Sequence, residues 1–109
     1  MMNKLLVTNL SSVIPTESTN YDYTAEFNFV RSIQVIWGST TASFSYQVQG
    51  SNDGTNFTNI GSAQSITNNS GSTFTQIDGV YDYLYYRIAL TKTSGALTAW
   101  SVLVATEMR

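Results

Sequence analysis

From Tyr21 the sequence alternates strictly, with Tyr21, Tyr23, Ala25, Phe27 and Phe29 on one side and Asp22, Thr24, Glu26 and Asn28 on the other. A period of two is the signature of a β-strand, whose successive side chains point to opposite faces. The stretch therefore predicts a strand with one apolar and one wet face. No helical stripe of useful length occurs anywhere in the chain.

The same alternation recurs along the sequence. Ile33, Val35 and Trp37 form a second apolar strand ended by Gly38-Ser39-Thr40. Phe44, Tyr46 and Val48 then alternate with Ser43, Ser45, Gln47 and Gln49 as far as Gly50-Ser51-Asn52-Asp53-Gly54. Asp-Gly marks a turn, because glycine takes positive φ without penalty and Asp can bond its own backbone. Asn56 to Ile60 is a short strand, whereas Gly61 to Ser72, small and polar with Ile66 as its one large apolar anchor, is expected as a loop or weak edge strand. Thr73 to Ile77 is another strand, closed by Asp78-Gly79. Tyr81 to Leu90, a Lys92-Thr93-Ser94-Gly95 turn and Ala96 to Thr106 together suggest a hairpin. Its second strand carries Trp100, Val102 and Val104 on one face and Leu97, Ala99, Leu103 and Ala105 on the other, the two buried faces of a central strand.

With a first strand at Lys4 to Leu10, this makes seven or eight short strands. Their spacing of roughly 8 to 12 residues predicts an all-β fold, a single antiparallel β-sandwich or jelly-roll-like domain over residues 1–109. The polar stretch from Ser11 to Asn20, which holds the single proline Pro15, links that first strand to the rest. The first twenty residues are either a strand of the domain or an arm that pairs with a neighbouring subunit.

Composition narrows the chemistry. The chain has no histidine and no cysteine, so it lacks the usual general base at neutral pH, the commonest metal ligand, any disulfide and any thiolate. A non-enzymatic role is expected, with no cofactor and no metal. Charged residues are 11% of the chain, against about 25% in an ordinary soluble domain. Ser, Thr, Asn and Gln, 43 of 109 residues, solvate the surface instead. A net charge of -2 with five scattered cations argues against nucleic acid. The apolar run in Met-Met-Asn-Lys-Leu-Leu-Val-Thr-Asn-Leu is too short for a signal-peptide core or a membrane span.

Three constellations invite chemistry. Asp22 with Glu26 and Asp78 with Asp82 suggest paired carboxylates, yet residues four apart on a strand lie about 13 Å apart, beyond the roughly 5 to 9.5 Å that glycoside hydrolysis needs. They are expected as solvated strand ends. Asn52, Asp53 and Thr55 offer oxygens to calcium, but with only one carboxylate a plain turn is favoured. The third lies along Tyr81 to Leu90, where Leu84, Tyr86, Ile88 and Leu90 form the core side. Tyr81, Tyr83, Tyr85 and Arg87 are left on the opposite face. Tyr and Arg bury large area while keeping polar tips, so these four form a candidate interaction face for a protein partner or a sugar. The alternative is a second core layer, with Arg87 paired to Asp78 or Glu107. Trp37 and Trp100 are expected in the core.

The segments Arg31-Ser32-Ile33-Gln34-Val35-Ile36-Trp37, Val48-Gln49-Gly50-Ser51-Asn52-Asp53-Gly54-Thr55-Asn56-Phe57, Tyr85-Tyr86-Arg87-Ile88 and Thr93-Ser94-Gly95-Ala96-Leu97-Thr98-Ala99 resemble small phage-encoded β-sandwich virion proteins. That family commonly has Trp where this chain has Phe57. The Ser51 to Gly54 turn followed by Tyr86-Arg87-Ile88 is similar, more weakly, to discoidin-type (coagulation factor 5/8 C-type) carbohydrate- or lipid-binding domains. Their closing cysteine is missing here, and no ligand residue is carried over. The first resemblance implies a structural protein of a bacteriophage virion, of capsid decoration or spike type. Its partners would be the major capsid protein or other virion proteins, in a symmetric homo-oligomer within the particle. A virion location also fits an exterior-looking composition without an export signal. The alternative is a carbohydrate-binding module for host attachment.

Overall fold

The computed structural model describes residues 5–25, 28–39, 41–67, 70–77 and 83–108. Among them are eight strands: β1 (Leu5–Ser11), β2 (Thr19–Thr24), β3 (Asn28–Ser39), β4 (Ser43–Ser51), β5 (Thr58–Ile66), β6 (Gly71–Gln76), β7 (Tyr85–Ser94) and β8 (Leu97–Met108). They form two antiparallel sheets, the first in the order β1-β8-β3-β6 and the second in the order β2-β7-β4-β5. The pairs β4 with β5, β3 with β6, β2 with β7 and β1 with β8 nest like one long hairpin rolled up on itself. This is the double-sheet jelly roll, so the expected all-β sandwich is the fold observed.

The core lies between the inward faces. Ile33 and Val35 of β3 and Trp100, Val102 and Val104 of β8 meet Phe44, Tyr46 and Val48 of β4 and Tyr86, Ile88 and Leu90 of β7, all buried. Burying each Val or Ile contributes about 1.5–3 kcal/mol, and β-branched side chains suit the pleat. Two tyrosines tie the sheets together. The Tyr46 hydroxyl is hydrogen-bonded to the Thr73 hydroxyl of β6, and burial raises its pKa more than that bond lowers it. Tyr21 of β2 lies 5.9 Å, ring to ring, from Trp100 of β8. Burial raises the Tyr21 pKa too, and the nearby indole only partly offsets this. Among the described residues the buried Trp100 indole N–H has no acceptor in hydrogen-bonding geometry.

Three expectations change. The alternation from Tyr21 to Phe29 spans two strands, not one: β2 belongs to the second sheet and β3 to the first. A register shift between Val30 and Ser32 then resets the phase of β3. Val30 is thereby buried, while Phe29, opposite Glu107, lies 4.9 Å from the Arg31 guanidinium. Gly61 to Ile66 lies in β5, an edge strand, which is one of the two forms expected for it. Ile60 and Ile66 anchor it, and the Gln47 amide reaches the carbonyls of Ile60 and Gly61 where the register shifts.

The hairpin expected over Tyr81 to Thr106 is the second to change. β7 and β8 lie in different sheets, so Gly95 carries a crossover rather than a hairpin turn. Lys92 and Ser94 stay in the strand because they pair with Phe44 and Ser43 of β4. Gly95 has φ 76°, and a Cβ there would collide with the Thr41 carbonyl. Finally, β8 is central as expected, between β1 and β3, but only one of its faces is fully covered. Ala99 is exposed, and Leu103 and Ala105 are half-buried.

β1 pairs with β8 of the same chain. The segment after it is held by Lys92, whose Nζ donates to the Thr16 carbonyl at 2.9 Å and whose backbone N–H donates to the Ser18 hydroxyl at 3.0 Å. Trp100 is buried as expected, and Trp37 is half-buried against the core.

Candidate functional site

Alternation along β7 sends Tyr86, Ile88 and Leu90 inward and Tyr85 and Arg87 outward. Arg87 stands between Asp22 of β2 and Gln49 of β4, and Gln49 in turn pairs with Asn59 of β5. One polar row, Asp22-Arg87-Gln49-Asn59, therefore crosses the second sheet. The Arg87 Nε donates to Asp22 Oδ1 at 2.8 Å, and Gln49 Nε2 donates to Asn59 Oδ1 at 3.0 Å. The guanidinium also lies 3.9 Å from the centre of the Phe57 ring. The pair is half in water, with 26% of the Arg87 side chain and 61% of the Asp22 side chain exposed. Such an ion pair contributes only about 0–1 kcal/mol, so its chief effect is to hold the guanidinium in place.

The turn after β4 fixes Phe57 beside Arg87. Asp53 Oδ1 accepts hydrogen bonds from the backbone N–H groups of Thr55 and Asn56, both at 2.8 Å, and from the Ser51 hydroxyl at 2.9 Å. Its Oδ2 accepts from Asn56 Nδ2 at 2.8 Å. The bonds from Asn56, then those from Thr55 and Ser51, hold the Asp53 carboxyl well below the usual carboxylate range. Both carboxylate oxygens are thereby engaged in the turn's own hydrogen bonds, as the plain-turn reading expects. Asn52 is engaged as well, its Oδ1 accepting from the Leu84 N–H at 3.2 Å. Gly54, at φ 77°, closes the turn beneath the Tyr85 ring. Between this turn and β2 and β7 lies a cleft of about 400 Å³, lined among others by Asp22, Thr24, Asp53, Phe57, Tyr85 and Arg87.

The structure brings together only part of the predicted face. Tyr85 and Arg87 share the outward side. Tyr83 precedes β7 and turns inward. Its ring covers Gly50, where a Cβ would collide with it, and meets Tyr86 edge-on at 6.2 Å. Its backbone N–H donates to the Tyr86 hydroxyl at 3.0 Å. Leu84, expected on the core side, is 37% exposed. Tyr81 lies outside the described residues, as do Glu26, Asp78 and Asp82 of the acidic pairs. Arg87 is paired with Asp22, and Glu107 meets Arg31 at 3.4 Å rather than Arg87. Sequence reasoning missed Asp22 and Phe57 as site residues. The wet phase of Asp22 was visible, but the register that sets it opposite Arg87 was not.

No family model matches the chain, and no curated protein matches it in sequence. A solved structure does match. The crystal structure of the SPBc2 prophage-derived protein YomS superposes with a TM-score of 0.57, over 100% of this chain and 96% of that one. At 11% identity the likeness to YomS is one of fold, and it extends over nearly the whole of both chains. The weaker discoidin-type resemblance gains no support from these comparisons.

Proposed function

We propose that this chain is a non-enzymatic structural protein of a bacteriophage virion, a capsid-associated decoration or spike-type module that binds neighbouring capsid subunits. The observation that carries this reading is the end-to-end fold match to the prophage-derived YomS, beside the sequence resemblance to phage virion proteins. Jelly rolls serve repeatedly in viral capsids, although fold alone does not fix function.

The outer face of the first sheet supports the reading. Val7, Ile36 and Phe74 stand 66%, 36% and 61% exposed there, with half-buried Leu103 and Ala105 between them. A subunit held in a lattice covers such side chains with its neighbours, and symmetry repeats a weak contact many times. The absence of histidine and cysteine supports a passive role.

Quantitative mass spectrometry of washed particles tests the proposal. The expected result is many copies per particle, in a fixed ratio to the major capsid protein. Particles that lack the chain after washing would overturn it.

A further inference from the structure

The polar row on the second sheet makes contacts that the particle role leaves unexplained. Among the described residues the Arg87 guanidinium bonds only through Nε, leaving the N–H groups of both Nη atoms without a partner. Asp22 likewise uses only Oδ1, so Oδ2 is an open acceptor beside them. The hydroxyl of Tyr85, a half-buried residue lining the same cleft, makes no hydrogen bond among the described residues. The guanidinium is nevertheless held still, by the carboxylate on one edge and the Phe57 ring on one face. A rigid donor set next to an open acceptor, with aromatic rings at the side, is costly in ordering entropy unless something uses it.

The chemistry of the cleft selects among ligands. Asp22 and Asp53 place two negative charges around the single positive charge of Arg87, so an anion meets a net repulsive site. The lining is too polar for a purely apolar ligand. A vicinal diol fits: one hydroxyl donates to Asp22 Oδ2 while its neighbour accepts from an Arg87 Nη, and the apolar edge of the sugar ring lies against Tyr85. About 400 Å³ lies within the range of small-ligand sites, roughly 300–1,000 Å³.

We infer that the cleft formed by Asp22, Phe57, Tyr85 and Arg87 is a binding site for a neutral glycan, with the Asp22-Arg87 pair reading adjacent hydroxyls. The site lies on the second sheet, away from the apolar face of the first, and does not depend on the particle role. Tyr83, packed against Gly50, takes no part in it.

The test is a glycan array carrying neutral hexose oligosaccharides and their sialylated and sulfated counterparts, probed with the purified full chain. Titration of any neutral binder by NMR follows. The expected result is millimolar or tighter binding to a set of neutral glycans, weakened about tenfold or more in both Asp22→Asn and Arg87→Met. Gln34→Ala, on the outer face of the other sheet, should bind as the parent chain does. Asp22→Asn is isosteric, so it keeps the test alive if Arg87→Met fails to fold. Amide shifts at Asp22, Tyr85 and Arg87 of the unaltered chain supply a third readout. No binding to neutral glycans at millimolar concentration overturns the inference. So does preference for the acidic glycans, or binding that survives both substitutions. Failure here leaves the mass-spectrometry result on particles unaffected, so the two readings fall separately.

Discussion

Across the outer face of the first sheet the side chains Val7, Leu103, Ile36 and Phe74 offer apolar area, whereas across the second sheet Asp22, Arg87, Gln49 and Asn59 offer hydrogen bonds in every strand. Both sheets are four-stranded and antiparallel, and both present Val, Ile and aromatic side chains to one shared core. What distinguishes them is therefore not the fold but the dress of the outward positions. In a chain with only 11% charged residues, polar amides and hydroxyls are the default cover. The exposed apolar side chains set among Asn9, Gln34 and Ser101 on the first sheet are the departure, and they are where a protein contact would remove most apolar area from water.

The contrast between inside and outside can be broken most forcefully at Ile33 and its neighbour. Ile33 is fully buried in β3, and Gln34 points outward next to it. Ile33→Ala should cost about 2–5 kcal/mol in urea denaturation, and Gln34→Ala no more than about 0.5 kcal/mol. Equal costs would mean that the phase after the β3 register shift is wrong.

The contrast between the two outer faces is sharpened by Phe74→Asp. Phe74 is 61% exposed, so the isolated domain should keep its stability to within about 1 kcal/mol. Its retention on washed particles should fall about tenfold or more, as for loss of an aromatic anchor at an interface. Arg87→Met, on the other sheet, should be retained as the parent chain is. If the two variants exchange behaviours, the particle contact belongs on the polar sheet.

A smaller effect is expected in the stability of Arg87→Met. The exposed ion pair with Asp22 contributes about 0–1 kcal/mol, and the contact with Phe57 about 0.5–1 kcal/mol. A loss near 1 kcal/mol in thermal or urea unfolding is expected. A loss above about 3 kcal/mol would make Arg87 a structural residue of the sheet.

Much of this contrast was legible in the sequence, and the exceptions have physical causes. Alternation identified the inward residues of β4, β7 and β8, because both sheets obey the same period of two. It did not identify which strands pair, since nearly every connection of a jelly roll crosses between sheets and a crossover leaves the same polar signature as a hairpin. Lys92-Thr93-Ser94-Gly95 shows this: three of the four residues remain in β7, and only Gly95 breaks it. The phase error at Phe29 came from a bulge at Arg31, which no local residue preference announces. Likewise Arg87 and Tyr85 were picked out by phase along β7, whereas Asp22 and Phe57, which complete the site, come from sequence-distant elements. Tyr83 precedes β7, so the period of two that turns Tyr85 and Arg87 outward does not extend to it.

The least of the expected effects concerns the turn that positions Phe57. Asp53 is fully exposed, yet its carboxylate collects hydrogen bonds from Asn56, Thr55 and Ser51. Those bonds favour the charged form, so the folded pKa is held far below its ordinary value of 3.8. The sign follows from linkage: a depressed carboxylate stabilises the turn fully above its unfolded pKa, and the contribution is lost as pH falls through the lower folded value. At neutral pH the turn is therefore intact, and it should loosen only in strong acid. Following the Asp53 carboxyl carbon and the Thr55 and Asn56 amides by NMR during acid titration checks this, with a common midpoint expected well under 3.8. A midpoint at or above that value would detach the Asp53 hydrogen bonds from the solution structure. Phe57 would then lose the rigid support that keeps its ring against Arg87, and the cleft beside Arg87 its preorganisation.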